Sequence, residues 1–229
     1  MEGIINSESY HIIMPNRDYQ EERRDYDSPG LSKTQLQTSP FMQFTQWMEA
    51  ALASTNQDAT AMSVTTVDST GQPHNRIVLL KESTANGFIF YTHYDSDKGH
   101  EILENDKASL LFFWPELDRQ VRIEGHLVKV SQETSQAYFA SRPRDSQIAA
   151  LSSIQSKEVA SRKALEETFA RNAEKYSDQE VPHPAHWGGY CLIPNKFEFW
   201  QGRPNRLHDR FTYTPTENEQ IWSIKRLSP

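Results

Sequence analysis

Arg206, His208 and Arg210 alternate with Leu207 and Asp209, directly after a turn carrying Gly202, Pro204 and Asn205. On a strand, a period of two projects both arginines and the histidine from one face. Two permanent cations beside a group that titrates near neutrality suit an anionic ligand undergoing proton or hydride chemistry. Charged strand faces are most often simply solvated. Here, however, Trp200 and Phe211 flank the face, and such side chains are costly to leave beside water. The stretch from Glu198 to Phe211 reads as a site.

Other segments carry anion chemistry of their own. Arg76-Ile77-Val78-Leu79-Leu80-Lys81 sets a cation at each end of an aliphatic run. The aliphatics imply burial, and buried cations need partners. Strict alternation puts Arg76 and Lys81 on opposite faces, so one of them must act at a strand end or a bulge. Tyr91-Thr92 ends the next strand, and Ser96-Asp97-Lys98 opens a helix whose free N–H groups and dipole make a phosphate seat. Tyr138 and Arg142 fall one helical turn apart on one face. Pro143 breaks that helix, and Asp145 or Ser146 can cap the next. A tyrosine hydroxyl, an arginine and a serine at a new helix start form a coherent phosphate site. Gln120 shares a strand face with Arg122 and Glu124, and its amide can both donate and accept.

The elements that must position these groups are short. Ser39-Pro40 starts a helix with Phe41, Phe44, Met48 and Leu52 on its apolar stripe and Trp47 beside them. Strands are predicted at 62–67, 76–81, 87–92, 108–114 and 120–130, with a short helix from Ser96. Residues 131–176 read as helical with a break at Arg142-Pro143, and strands at 188–193, 197–201, 206–213 and 221–227 close the chain. Short strands with helices between them imply an α+β protein built on an antiparallel barrel. Residues 1–38 are polar, with little periodicity, and read as a flexible N-terminal arm preceding a domain over 39–229.

Bulk properties exclude several function classes. A chain of 229 residues with net charge −7 lacks the basic character of a general nucleic-acid binder. One cysteine, Cys191, rules out an internal disulfide and a multi-cysteine metal site. No apolar window approaches the ~20 residues of a membrane span, and the N-terminus lacks a secretion signal, so a cytoplasmic protein is expected. No Gly-x-Gly-x-x-Gly, Walker-type loop or Gly-x-Ser-x-Gly is present. His183 and His186 stand in a proline-rich stretch with no third ligand, which reads as a loop, and no metal is expected.

Two of these segments, Trp200-Gln201-Gly202-Arg203-Pro204-Asn205-Arg206-Leu207-His208-Asp209-Arg210 and Tyr138-Phe139-Ala140-Ser141-Arg142-Pro143-Arg144-Asp145-Ser146, resemble signatures of the pyridoxamine 5'-phosphate oxidases. These are flavoenzymes of vitamin B6 metabolism, and the resemblance runs from about Arg23 to Pro229. It implies the FMN-binding split barrel, a homodimer with active sites at the subunit interface. It also implies oxidation of pyridoxamine or pyridoxine 5'-phosphate to pyridoxal 5'-phosphate, with O2 as acceptor and H2O2 as product. By the resemblance, Lys81, Tyr138, Arg142 and Ser146 hold the substrate phosphate. Arg206, Leu207 and His208 lie over the reacting carbon and ring, and Arg23-Arg24-Asp25-Tyr26 folds over the substrate. FMN falls to Arg76 through Lys81, Tyr91, Thr92, Ser96, Asp97, Lys98, Gln120, Trp200 and Arg210, with Gln155 and Ser156 supplied by the partner subunit. Asp58 resembles a further active-site position.

The chain departs from the family pattern at Asp97, where the family usually has an arginine on the FMN phosphate, and at Ala149 and Leu151. Two alternatives follow: a non-catalytic B6-phosphate-binding protein with weakened flavin binding, or a flavin oxidoreductase acting on another substrate.

Overall fold

The structure is a computed structural model that describes residues 18–22, 24–54, 58–217 and 221–229. Arg23, an expected substrate contact, lies outside the described residues. Among the described residues nine antiparallel strands form one sheet in the order β2-β1-β5-β6-β7-β4-β3, with β8 pairing the far half of β7 and β9 pairing β8. This is the α+β barrel architecture expected, with helices peripheral to the sheet.

The spine is β7 (Trp187–Gln201). Its first half pairs β4 (Phe88–His93) and its second half pairs β8 (Asp209–Pro215), while β6 (Arg119–Lys129) lies along its other edge. Pro194 to Lys196 was expected to separate two strands. Instead the strand is continuous, and the register shifts once opposite Glu124 and Gly125. A bulge absorbs the proline without ending the ladder.

β1 (Ala61–Val67) and β2 (Pro73–Leu79) form a hairpin, and β5 (Lys107–Trp114) joins it to β6. β2 is an edge strand. The aliphatics expected to be buried are split by where the strand ends: Ile77 and Leu79 on β2 are 67% and 38% exposed, while Leu80, just past it, is 7% exposed. The two-residue β3 (Glu82–Ser83) pairs β4, and β9 (Trp222–Leu227) ends the chain's sheet.

Helix α1 (Pro40–Ser54) starts at the proline expected for its first turn. It buries Phe44, Trp47, Met48 and Ala51, the i, i+3, i+4, i+7 face. Leu52, expected on that stripe, is 59% exposed, because the stripe turns past it. Ser96 caps α2 (Asp97–Glu104) by accepting from the Gly99 N–H. The expected long helical region resolves into α3 (Gln132–Ser141), α4 (Arg144–Ser152) and α5 (Arg162–Lys175). No side chain caps α4; Pro143 itself precedes it, so neither Asp145 nor Ser146 serves as the cap.

The main core is aromatic. Phe44, Phe88, Phe112, Phe197, Phe199, Phe211 and Tyr213 are all at most 1% exposed and meet mostly edge to face. Such pairs add about 0.5–1.5 kcal/mol each beyond the burial of their area. A second cluster, Phe139, Ile148, Ala150, Val181 and Trp187, sits beneath the three later helices.

Residues 24–38 lie against this body, although their sequence reads as a flexible arm. Leu31 joins the main core, and Tyr213 Oη donates to the Gln37 carbonyl at 2.8 Å. Anchoring by single side chains leaves no periodic trace in a sequence, which is why composition alone pointed to an arm.

Candidate active site

One cavity of about 850 Å³ gathers most of the expected site residues. Arg76 to Leu79 and Lys81 line one wall, Tyr91, Thr92, Asp97 and Lys98 the floor, and Tyr138, Arg142, Ser146, Gln155 and Ser156 the facing wall. Leu80 and Ser96 are buried just behind it. The Arg76 and Lys81 problem is solved by where the strand ends. β2 stops at Leu79, and the Lys81 N–H bonds the Ile89 carbonyl at 2.8 Å. Lys81 lies past the end of that strand, so the alternation that would place it on the face opposite Arg76 does not extend to it.

Lys98 is the centre of the floor. Its Nζ donates to Gln155 Oε1 at 2.8 Å and to Thr92 Oγ1 and Ser96 Oγ at 3.2 Å. All three acceptors are neutral. Burial, reinforced by the Arg76 charge, pulls its pKa down to about 8. Asp97 next to it is exposed in the first turn of α2, where the helix dipole favours a carboxylate. Arg76 is already engaged: it bonds Glu101 Oε2 at 3.0 Å and also the Thr66 hydroxyl, which itself donates to Glu101. Gln155, expected from a partner, reaches the cavity from its own chain, because α4 carries it back over β4.

On the facing wall Tyr138 stacks on Tyr91, with ring centroids 3.9 Å apart. Burial pushes the Tyr91 hydroxyl up to about 12, so it remains a neutral donor. Trp187 lies parallel to both rings and under the Arg142 guanidinium, at 4.6 Å. One Arg142 terminal nitrogen is buried with no hydrogen-bond partner. A buried, unsatisfied cationic donor facing a cavity is poised for an anion. Gly189 makes this stack possible, since a Cβ there would meet Tyr91 Cε1 at 2.8 Å.

The remaining expected residues form a second group outside that cavity. The strand predicted from Arg206 begins only at Asp209. Asn205 and Arg206 adopt left-handed φ of 57° and 61° in a short 3-10 turn, so the period of two does not hold across them. Arg206 and Leu207 are exposed. His208 packs against Trp200 and Tyr26, and its Nδ1 accepts from the Arg203 N–H at 3.1 Å. That bond leaves Nε2 as the protonated nitrogen of the neutral ring. Burial, then the neighbouring Arg206, lowers the His208 pKa. Arg210 forms a two-pronged pair with buried Glu198, and Gln120 sits opposite Trp200 across β6 and β7. Asp58 holds a tight turn, accepting from the Thr60 N–H and hydroxyl, and does not line the cavity.

Three contributors escaped the sequence reading: Trp187, Glu101 and Asp118. Trp187 precedes Gly188-Gly189, a hint of close packing that sequence alone does not aim. Glu101 and Asp118 find their arginines only through the fold.

The family profile described as pyridoxamine 5'-phosphate oxidase matches residues 48–176, and that described as the pyridoxine 5'-phosphate oxidase C-terminal dimerisation region matches 187–229. The chain belongs to the pyridoxamine 5'-phosphate oxidase family. It is 62% identical, over 94% of its length and 100% of the relative's, to pyridoxine/pyridoxamine 5'-phosphate oxidase 1 of Hydrogenovibrio crunogenus. The crystal structure of PhzG from Burkholderia lata, in complex with tetrahydrophenazine-1-carboxylic acid, superposes with a TM-score of 0.83 at 27% identity, covering 90% of this chain and 100% of that one. A pyridoxamine 5'-phosphate oxidase-related, FMN binding protein from Nostoc punctiforme shares the fold, with a TM-score of 0.67 at 17% identity over 85% and 100% of the two chains. Among the described residues no helix is long and apolar enough to cross a membrane.

Proposed function

We propose that the protein is an FMN-dependent oxidase that converts pyridoxamine or pyridoxine 5'-phosphate to pyridoxal 5'-phosphate. Dioxygen is the acceptor and H2O2 the product. With the alcohol the balance is substrate plus O2 giving aldehyde plus H2O2; with the amine, water enters and ammonia leaves. The observation that carries the reading is a cavity lined by Lys98, which bonds only neutral acceptors, and by Arg142, which keeps one nitrogen unpartnered, two cationic stations on different elements. Two phosphate-bearing molecules, a cofactor and a substrate, need two such stations.

The donor set fits FMN. Lys98, bonded only to neutral oxygens, and the start of α2 would take its phosphate, with Thr92, Gln155 and Ser156 alongside. When bound, the flavin would accept the hydride from the substrate and pass its electrons to O2. The protein's own work is positioning and charge. Lys81, Tyr138, Arg142 and Ser146 would grip the substrate phosphate, and the Tyr91–Tyr138–Trp187 stack holds that wall rigid. Neutral His208, with Nε2–H available, and Arg206 would act on the reacting end.

His208, Arg206, Trp200, Arg210 and Gln120 do not line this cavity within one chain. The match to a dimerisation region supports a homodimer; in the assembly we propose, a second copy brings its turn to the first copy's cavity. We take residues 1–38 as an arm on a 39–229 oxidase domain, working in the cytoplasm.

The likeness to PhzG keeps a second reading, a flavin oxidoreductase with a different substrate. The experiment is spectroscopic. Purified protein should show an oxidised-flavin spectrum that pyridoxamine 5'-phosphate bleaches under nitrogen and air restores. A yellow protein that this substrate fails to bleach would transfer the assignment to another substrate. A colourless one that FMN cannot reconstitute would make it a B6-phosphate binder.

A further inference from the structure

Residues 24–28 run as a strap across the Trp200–His208 pair, and both ends of the strap converge on one carboxylate. Asp118 ends the short 3-10 turn between β5 and β6 in a left-handed conformation, with φ of 51° and ψ of 40°. Its carbonyl accepts from the Gly202 N–H at 2.7 Å and from Gln201 Nε2 at 3.2 Å, so its backbone is locked to the end of β7. Its side chain is 8% exposed. One oxygen takes the Arg24 guanidinium, and the other accepts from the Ser28 hydroxyl at 2.8 Å. Arg24 also donates to the Pro115 carbonyl at 2.6 Å, and Arg203 donates to the Ser28 carbonyl at 2.7 Å.

Between those two anchors lies Tyr26, edge-on to Trp200 at 5.6 Å and to His208 at 5.4 Å. Gly202 leaves room for it, since a Cβ there would meet Tyr26 Cδ1 at 2.7 Å and Asp118 Cβ at 2.9 Å. One terminal nitrogen of Arg24 is thus shared between the Asp118 carboxylate and the Pro115 carbonyl.

We propose that Asp118 is a positioning residue for the reaction: its buried carboxylate clasps Arg24 and Ser28, and so holds Tyr26 over His208. This rests on the function proposed above for His208. A buried carboxylate that loses its charged partner is strongly disfavoured, so the clasp is closed in the resting protein and opens only at a cost. With the clasp weakened, a smaller fraction of molecules presents the closed face, and apparent substrate affinity falls by that fraction.

The test uses the full-length FMN-loaded protein and two independent variants. Asp118→Asn keeps the shape and removes the charge. Arg24→Gln removes the same pair from a half-exposed side chain whose loss leaves the core untouched. The first readout is hydrogen exchange of the backbone over residues 24–30, without substrate. Both variants should exchange about tenfold faster there than wild type, with β6 and β7 unchanged. The second is steady-state kinetics: KM for pyridoxine 5'-phosphate should rise about three- to tenfold with kcat within about twofold, in both variants alike.

Unchanged strap exchange in both variants would overturn the clasp. So would exchange that rises across the whole chain in Asp118→Asn alone, since that marks a merely structural turn. Faster strap exchange with unaltered KM would overturn the positioning role. If the wild type oxidises no B6 phosphate, the proposed function fails, and the exchange data still decide whether Asp118 holds the strap.

Discussion

Arg142 lies over Trp187, the guanidinium carbon 4.6 Å from the indole centroid, with one guanidinium nitrogen buried and unpartnered. The ring attracts the cation without consuming its donors, which leaves the unpartnered nitrogen for an anion in the cavity.

Arg142→Ala should weaken pyridoxal 5'-phosphate binding and raise KM while kcat changes little, because the phosphate is held equally in ground and transition states. A charged hydrogen bond is worth about 1.5–3 kcal/mol, so a loss of roughly 10- to 150-fold is expected. Trp187→Leu should give the same pattern at smaller size. Equilibrium titration with pyridoxal 5'-phosphate measures both, and undiminished affinity in Arg142→Ala would remove this residue from the clamp.

Arg206→Ala and His208→Asn should lower kcat and leave bound FMN largely intact. Removing an aimed donor or cation from a water-poor site takes away on the order of 2–4 kcal/mol of transition-state stabilisation. The turn geometry sharpens this, since the Arg203 N–H fixes the His208 ring through Nδ1. Stopped-flow reduction of the flavin isolates the step. Wild-type reduction rates in both variants would refute the assignment.

Asp97→Arg should tighten FMN at low ionic strength. Asp97 is exposed at the rim of the anion seat, so an arginine there adds a cation without displacing a bonded group. At ~4 Å and an effective dielectric near 20, a charge pair is worth about 4 kcal/mol before solvent screening, which an exposed side chain suffers heavily. A gain of about tenfold or less is therefore expected, fading with salt. Flavin fluorescence of titrated apo-protein reads it directly, and equal affinities would mean that position 97 does not face the phosphate.

Lys98 sets a pH dependence with a definite sign. Its folded pKa, near 8, is below the ordinary lysine value of 10.5. Below pH 8 both folded and unfolded chains carry the proton, and the buried charge opposes folding. Between 8 and 10.5 the unfolded chain binds more protons, so stability of the apo-protein should rise with pH across that window. FMN affinity should move the opposite way, falling as the pH passes 8, because the phosphate needs the protonated amine. Lys98→Met should flatten both profiles. Wild-type FMN affinity that is equal at about pH 7 and about pH 9 would contradict the role.

Much of the local structure could be read from the chain. Pro40 after Ser39, the Phe44 and Met48 stripe with Trp47 beside it, the Ser96 cap and the break at Pro143 follow from forces acting within a turn or two of helix. The pairing of Tyr138 with Arg142 across one turn, and the family signatures at Arg142 and Arg206, belong to the same range.

Tertiary structure decided the rest, wherever the partner is far along the chain. Gln155 meets Lys98 across 57 residues, and Arg24 meets Asp118 across 94. No local propensity encodes such encounters. Strand alternation also failed where it was trusted most: left-handed backbone at Asn205 and Arg206 breaks the period that would have aligned Arg206, His208 and Arg210. Sequence by itself determined which residues carry charge and which segments can be strands or helices. Only the packed sheet decided which charges are neutralised internally, as Arg76 is by Glu101 and Arg210 by Glu198, and which, like Arg142, are left with a donor for a ligand. A side chain's free valence depends on its neighbours in space, and those are set when the core closes.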